Sequence, residues 1–115
     1  MWPDVVVDLS LSVICFLSTC YPALVGKDTP KGEFTLQPFS TEQRGYGGDL
    51  LVFKETEHAV FAIHRLIEVQ GQDRVSRINS DIPEMRIITN GCVNVTPQVY
   101  DSLSACCAGS RVTIK

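Results

Sequence analysis

No Lys or Arg precedes Lys27, and no stretch reaches the run of about 18 apolar residues that a membrane span requires. Leu9 to Leu17 is apolar enough to resemble the core of an export signal. A secretory signal wants a positive start, however, and this one has Asp4 and Asp8 instead. The stretch is therefore expected to be folded strand, with any targeting segment absent from the chain as given. Basic clusters are also lacking. With 10 Lys+Arg against 13 Asp+Glu and a net charge of −3, the chain has no electrostatic footprint for nucleic acid. There is no C-x-x-C unit, and adjacent Cys106-Cys107 makes a poor chelate, so neither a metal nor another cofactor is expected. The glycines of Gly45-Tyr46-Gly47-Gly48 do not have phosphate-loop spacing. Histidine is scarce, at two residues.

What is present reads as one domain over residues 1–115, mostly β. Val5 to Leu11 and Val13 to Leu17 are rich in apolar and β-branched residues, and Tyr21 to Val25 gives a third strand after a polar interruption at Ser18-Thr19-Cys20. Cys15 and Cys20 could face one another across that turn, but core or edge side chains are the preferred reading. Gly26 to Gly32 is a loop, Glu33 to Leu36 a strand, and Ser40 to Gly48 the most loop-like segment. Asp49 to Phe53 and Ala59 to Ile63 pair around a charged turn, leaving His58 solvated and His64 at the end of an apolar strand. Leu66 to Glu84 is a long excursion with at most a turn of helix, and excursions of this length are often functional. One helix is expected near the C-terminus. Thr96 caps it, Pro97 takes its first position, Val99 and Leu103 recur at helical spacing, and Gly109 ends it before a final strand at Arg111 to Ile114.

Ile87-Ile88-Thr89-Asn90-Gly91-Cys92-Val93-Asn94 is where chemistry is expected. A β-branched run ends in a Gly, and a single Cys stands where the strand should break. Held that way, a thiol is available as a nucleophile, and the adjacent Gly91 and Cys92 N–H groups could receive an oxyanion. Such a thiol needs an imidazole or an electropositive setting, and His64 is the better placed of the two histidines. A buried structural Cys is the competing reading.

Three pieces of the chain, in order, resemble the L,D-transpeptidase (YkuD-like) catalytic domain. They are Thr29-Pro30-Lys31-Gly32-Glu33-Phe34, Ile63-His64-Arg65, and Thr89-Asn90-Gly91-Cys92-Val93-Asn94. The family pattern is a Thr-Pro-x-Gly-x-Phe loop and strand, a His, a spacer, and Ser/Thr-His-Gly-Cys-hydrophobic-Asn. The likeness spans nearly the whole chain, with Val5 to Ser10 as opening strand. There are two departures. Asn90 replaces the second His, and the His-to-Cys separation (92 − 64 = 28) is longer than usual, which reads as an inserted lid or substrate loop.

The resemblance implies a compact β-sandwich or barrel-like fold with one helix after the Cys strand. It also implies a cysteine acyltransferase acting on peptidoglycan tetrapeptide stems. Cys92, activated by His64, would form a thioester that is resolved by an amine or exchanged for another D-amino acid. Gly91 and Thr89 would serve the site. Arg86, Asn90, Asn94 and Arg65 are the residues expected on the substrate side, with Asn94 chiefly tying the turn to its neighbours. Arg86 is preferred over Arg74 and Arg77, which read equally well as surface charge. A monomer in the cell envelope or periplasm follows as an expectation. The alternatives are an L,D-carboxypeptidase trimming the same stems, whether or not as a secreted toxin, and a silent wall-binding β-domain.

Overall fold

The structure, a computed structural model, describes residues 4–115. In chain order its strands are Val5–Asp8 (β1), Val13–Phe16 (β2), Thr19–Pro22 (β3), Gly32–Thr35 (β4), Gln37–Ser40 (β5), Asp49–Glu55 (β6) and Val60–Arg65 (β7). A short helix Arg74–Ile78 (α1) and a 3₁₀ turn Pro83–Arg86 follow. Val93–Val95 (β8), the helix Pro97–Cys107 (α2) and Arg111–Ile114 (β9) complete the chain. The strands form two sheets, in the orders β3-β2-β1-β9-β4 and β5-β6-β7-β8. The fold is thus mostly β, with few helices.

Alternation builds the first sheet. Val5 and Val7, Ile14 and Phe16, and Val112 and Ile114 are buried, while the residues between them are less so. β1 and β9 pair in parallel, so the first and last strands lie side by side. The second sheet is apolar at its centre. Leu51, Ala62, Ile63, Val93 and Val95 are buried on β6, β7 and β8, and α2 adds Tyr100, Leu103 and Cys107. These side chains belong to one core cluster with those of the first sheet, Ala62 excepted. Each fully buried Leu or Ile contributes about 1.5–3 kcal/mol.

Three local differences from the sequence reading have physical causes. First, the turn between β2 and β3 falls at Leu17-Ser18, both at positive φ, rather than at Ser18 to Cys20. The tighter turn puts Cys15 opposite Cys20, and they are disulfide-bonded instead of being separate core or edge side chains. Cys106 and Cys107 are also disulfide-bonded, which leaves Cys92 as the free thiol. Second, the run Tyr21 to Val25 divides between two partners. β3 ends at Pro22, and Leu24 and Val25 cross to bridge Asn94 and Ile87. Third, Ile87 to Gly91 is not a strand, because Ile88 and Thr89 both donate to the Val25 carbonyl. Cys92 therefore stands immediately before β8, not at the end of a strand.

Candidate active site

β7 and β8 run parallel, with Ile63 opposite Val93, His64 opposite Asn94 and Arg65 opposite Val95. Side chains alternate along a strand, so this register gives His64 and Asn94 the same face. Both are buried, at 3% and 0% exposure. Asn94 is anchored from its other side by reciprocal backbone bonds with Leu24, each 2.9 Å.

The imidazole has its tautomer set by its neighbours. Nδ1 lies 2.7 Å from the Arg65 carbonyl, which can only accept, so Nδ1 carries the proton. The Nε2 lone pair then faces Asn94 Nδ2 at 3.3 Å. Arg74 Nη1 donates to Asn94 Oδ1 (3.0 Å), so both ends of the amide favour the same orientation. The edge of the imidazole stack is closed by Tyr46, T-shaped with ring centroids 4.8 Å apart.

Cys92 and His64 border one cleft of about 420 Å³, together with Tyr46, Val60, Arg74, Thr89, Asn90 and Asn94. A second lobe of about 370 Å³, lined by Phe39, Thr41, Leu50, Val52 and Glu55, meets the first at Cys92, His64, Tyr46 and Val60. The half-buried Cys92 Sγ donates to the Val60 carbonyl at 3.8 Å. Burial pushes its thiol pKa up from 9.0, against the smaller pull of the Ala62 N–H and the Arg74 charge. Burial likewise pushes His64 down from 6.5; the Arg65 carbonyl works against this, and Arg74 adds to it. At neutral pH Cys92 is therefore a thiol and His64 a neutral imidazole; they share the cleft without a hydrogen bond between them, the thiol facing Val60 and Nε2 facing Asn94.

The turn before Cys92 is closed by Thr89, whose Oγ1 donates to the Cys92 carbonyl (2.6 Å) and accepts from the Gly91 N–H (3.2 Å). That bond engages the Gly91 N–H, one of the two donors expected to receive an oxyanion. Gly91 is required here for two reasons. Its φ is +133°, and a Cβ would lie 2.5 Å from the Phe61 ring. The Phe61 ring fills the space left by its missing side chain.

Arg65 and Arg86 do not line either lobe. Arg65 bonds Asp49 Oδ1 (2.7 Å), Asp101 Oδ1 (3.0 Å) and the Tyr46 carbonyl (3.0 Å), and it stacks over Tyr100 at 4.2 Å. It holds the Tyr46 loop in place. Arg86, expected on a strand and facing substrate, sits on the 3₁₀ turn with 5% exposure and donates to the Leu11, Ser12 and Ser80 carbonyls. Arg77 is likewise bound to carbonyls, those of Gln72 and Met85. Arg74, read from sequence no better than as surface charge, is the arginine that faces the cleft.

Sequence reading missed Tyr46 and Gly26. An aromatic ring inside an otherwise polar, glycine-rich loop was the available signal for Tyr46. Gly26 lies directly under the turn: a Cβ there would stand 2.3 Å from the Thr89 carbonyl oxygen. Among the described residues no cluster of three or more His, Cys, Asp or Glu could hold a metal, and no helix is long and apolar enough to cross a membrane.

No family model and no curated protein matches the chain by sequence. Solved structures do match its fold. The chain superposes on a cysteine-to-serine mutant of an Enterococcus faecium L,D-transpeptidase with a TM-score of 0.68 at 18% identity, covering 100% of this chain and 50% of that one. L,D-transpeptidase 3 from Mycobacterium tuberculosis gives 0.65 at 11% identity, with 98% and 60% covered. The L,D-transpeptidase of Xylanimonas cellulosilytica gives 0.63 at 15%, with 99% and 60% covered. The chain thus has the L,D-transpeptidase fold and spans between 50% and 60% of the length of these three structures.

Proposed function

We propose that this chain is a cysteine-dependent L,D-transpeptidase acting on peptidoglycan tetrapeptide stems in the cell envelope. The observation that carries this reading is the sharing of one open cleft by Cys92 and His64. The Arg65 carbonyl holds Nδ1 protonated, which leaves Nε2 as the base. With a neutral pair at rest, the proton moves as the bond forms. Asn94 releases Nε2, His64 takes the thiol proton, and Cys92 Sγ bonds to the carbonyl carbon of the third stem residue, a diamino acid. The Cys92 backbone N–H receives the oxyanion. Collapse expels the terminal D-alanine amine, which takes the proton back from His64 and leaves a thioester. An acceptor amine then attacks the thioester, passing its proton to His64. An amide forms and the Cys92 thiol is restored.

The test is digestion of purified muropeptides followed by mass analysis of products and of the intact protein. Cross-linked dimers, an acyl adduct on Cys92, and loss of both in a folded Cys92→Ala protein are expected. Shortened tripeptides without dimers would assign the same site to an L,D-carboxypeptidase. A folded protein with no product, no stem adduct and no carbapenem adduct would overturn the enzyme reading in favour of a silent wall-binding domain.

A further inference from the structure

Building on the proposed activity, we infer that Arg74 is the specificity residue of this cleft, receiving the free α-carboxylate that ends the stem one residue beyond the scissile carbonyl. Arg65 is neutralised by Asp49 and Asp101, and Arg111 by Glu33. Arg77 and Arg86 are spent on backbone carbonyls. Arg74 alone among these lines the cleft, and its guanidinium bonds only neutral amide oxygens. These are Gln72 Oε1 through Nε (2.7 Å) and Asn94 Oδ1 through Nη1 (3.0 Å). It makes no ion pair among the described residues; the carboxylate acting on its charge, Glu68, is held by the Arg74 and Val75 backbone N–H groups (2.7 and 3.2 Å) and not by the guanidinium. A partly desolvated cation with donors to spare suits a carboxylate, which a planar guanidinium can grip through two bonds.

Position supports the assignment. One residue of chain spans roughly 3.5 Å, and Arg74 and Cys92 border the same lobe. A carboxylate held by Arg74 therefore brings the last peptide bond of the stem to Cys92. The other lobe offers Phe39, Leu50 and Val52 with Glu55, and no cation, so the body of the stem extends that way. Polarity of binding and choice of bond follow together: the cleft counts from a free C-terminus. An incoming D-amino acid carries the same α-carboxylate beside its amine, so the same cation orients it for the reverse attack.

The experiment compares a tetrapeptide stem ending in a free carboxylate with the same peptide ending in a carboxamide. kcat/KM for release of the terminal residue is measured for the intact chain, Arg74→Gln and Arg74→Lys. Binding of both peptides is measured by calorimetry on Cys92→Ala and on the Cys92→Ala, Arg74→Gln double variant. The intact chain should prefer the acid by roughly ten- to a hundred-fold, the worth of a charged hydrogen-bonded pair. The preference should fall to near unity in Arg74→Gln and to an intermediate value in Arg74→Lys, which keeps the charge and loses the fork. Because Arg74 also touches Asn94, its loss slows both peptides, and the acid-to-amide ratio isolates the carboxylate. Turnover with no acid preference, or a preference surviving in Arg74→Gln, overturns this assignment and leaves the transpeptidase reading standing. Arg74-dependent acid binding without turnover does the reverse. Absence of binding by either peptide overturns both.

Discussion

His64 has two nitrogens with different duties, and each is fixed by one neighbour. The Arg65 carbonyl keeps the proton on Nδ1, and Asn94 Nδ2 faces Nε2. Burial disfavours the imidazolium, so the folded pKa lies below 6.5. The acid limb of Cys92 acylation should accordingly fall below pH 6.5, and alkylation of the free thiol should keep rising past pH 9. Carbapenem acylation and iodoacetamide labelling, each run as a pH series, measure the two limbs. An acid limb above 6.5 would mean that the imidazole is stabilised as a cation. Linkage gives a second reading with the same sign. The unfolded chain binds the His64 proton more readily than the folded one, so stability is lost as pH falls from about 6.5 toward the folded value. In the proposed mechanism, a neutral thiol and a neutral imidazole at rest require the thiolate to be made during attack, not stored beforehand.

At the scale of elements, the turn before Cys92 is a loop clamped from below by a glycine and from the side by a ring. Gly26 leaves room for the Thr89 carbonyl, and Gly91 for Phe61. Gly26→Ala should move the Thr89–Gly91 turn and lower acyl transfer by about a hundred-fold, the usual penalty for a misplacement near 1 Å. Gly91→Ala, with a positive φ and a ring in the way, should destabilise the fold by about 3 kcal/mol. Denaturant melts and muropeptide turnover separate the two effects. Elements with a local signal were legible in the sequence: the apolar, β-branched runs of β1 and β2, the apolar run of β7, and α2 with its Thr96 cap, which accepts from the Val99 N–H. β5 was not, because Gln37–Ser40 is exposed throughout and has no inward face to alternate against. The segment Ile87 to Gly91 looked like a strand on β propensity. Its bonds to Val25 depend on a chain crossing that no local pattern encodes. Motif order put Cys92 and His64 on one cleft, which they share, whereas the partners of the arginines, set by distant carbonyls and carboxylates, left no trace in spacing.

Across the whole molecule, the long excursion between His64 and Cys92 has to be fastened to the sheets for the cleft to keep its shape, and Arg86 is the fastener. Its guanidinium reaches the Leu11 and Ser12 carbonyls in the turn between β1 and β2, and the Ser80 carbonyl just past α1. Ser12 Oγ returns a bond to the Pro83 carbonyl at 3.1 Å, and the Arg86 carbonyl accepts from the Val25 N–H at 3.0 Å. One residue thus joins the first sheet, the excursion and the crossing segment beneath the turn that precedes Cys92. Arg86→Ala removes the donors for three carbonyls and opens space where the side chain is 5% exposed. A loss of about 3 kcal/mol is expected, which for a chain of this size lowers the melting temperature by more than about 10 °C. The substrate-facing role expected from sequence makes the opposite forecast: an unchanged melt with weakened stem-peptide binding. Calorimetric melting of Arg86→Ala beside the same peptide titration used for Arg74→Gln decides between them. The two arginines should divide cleanly, one moving stability and the other moving the preference for a free carboxylate.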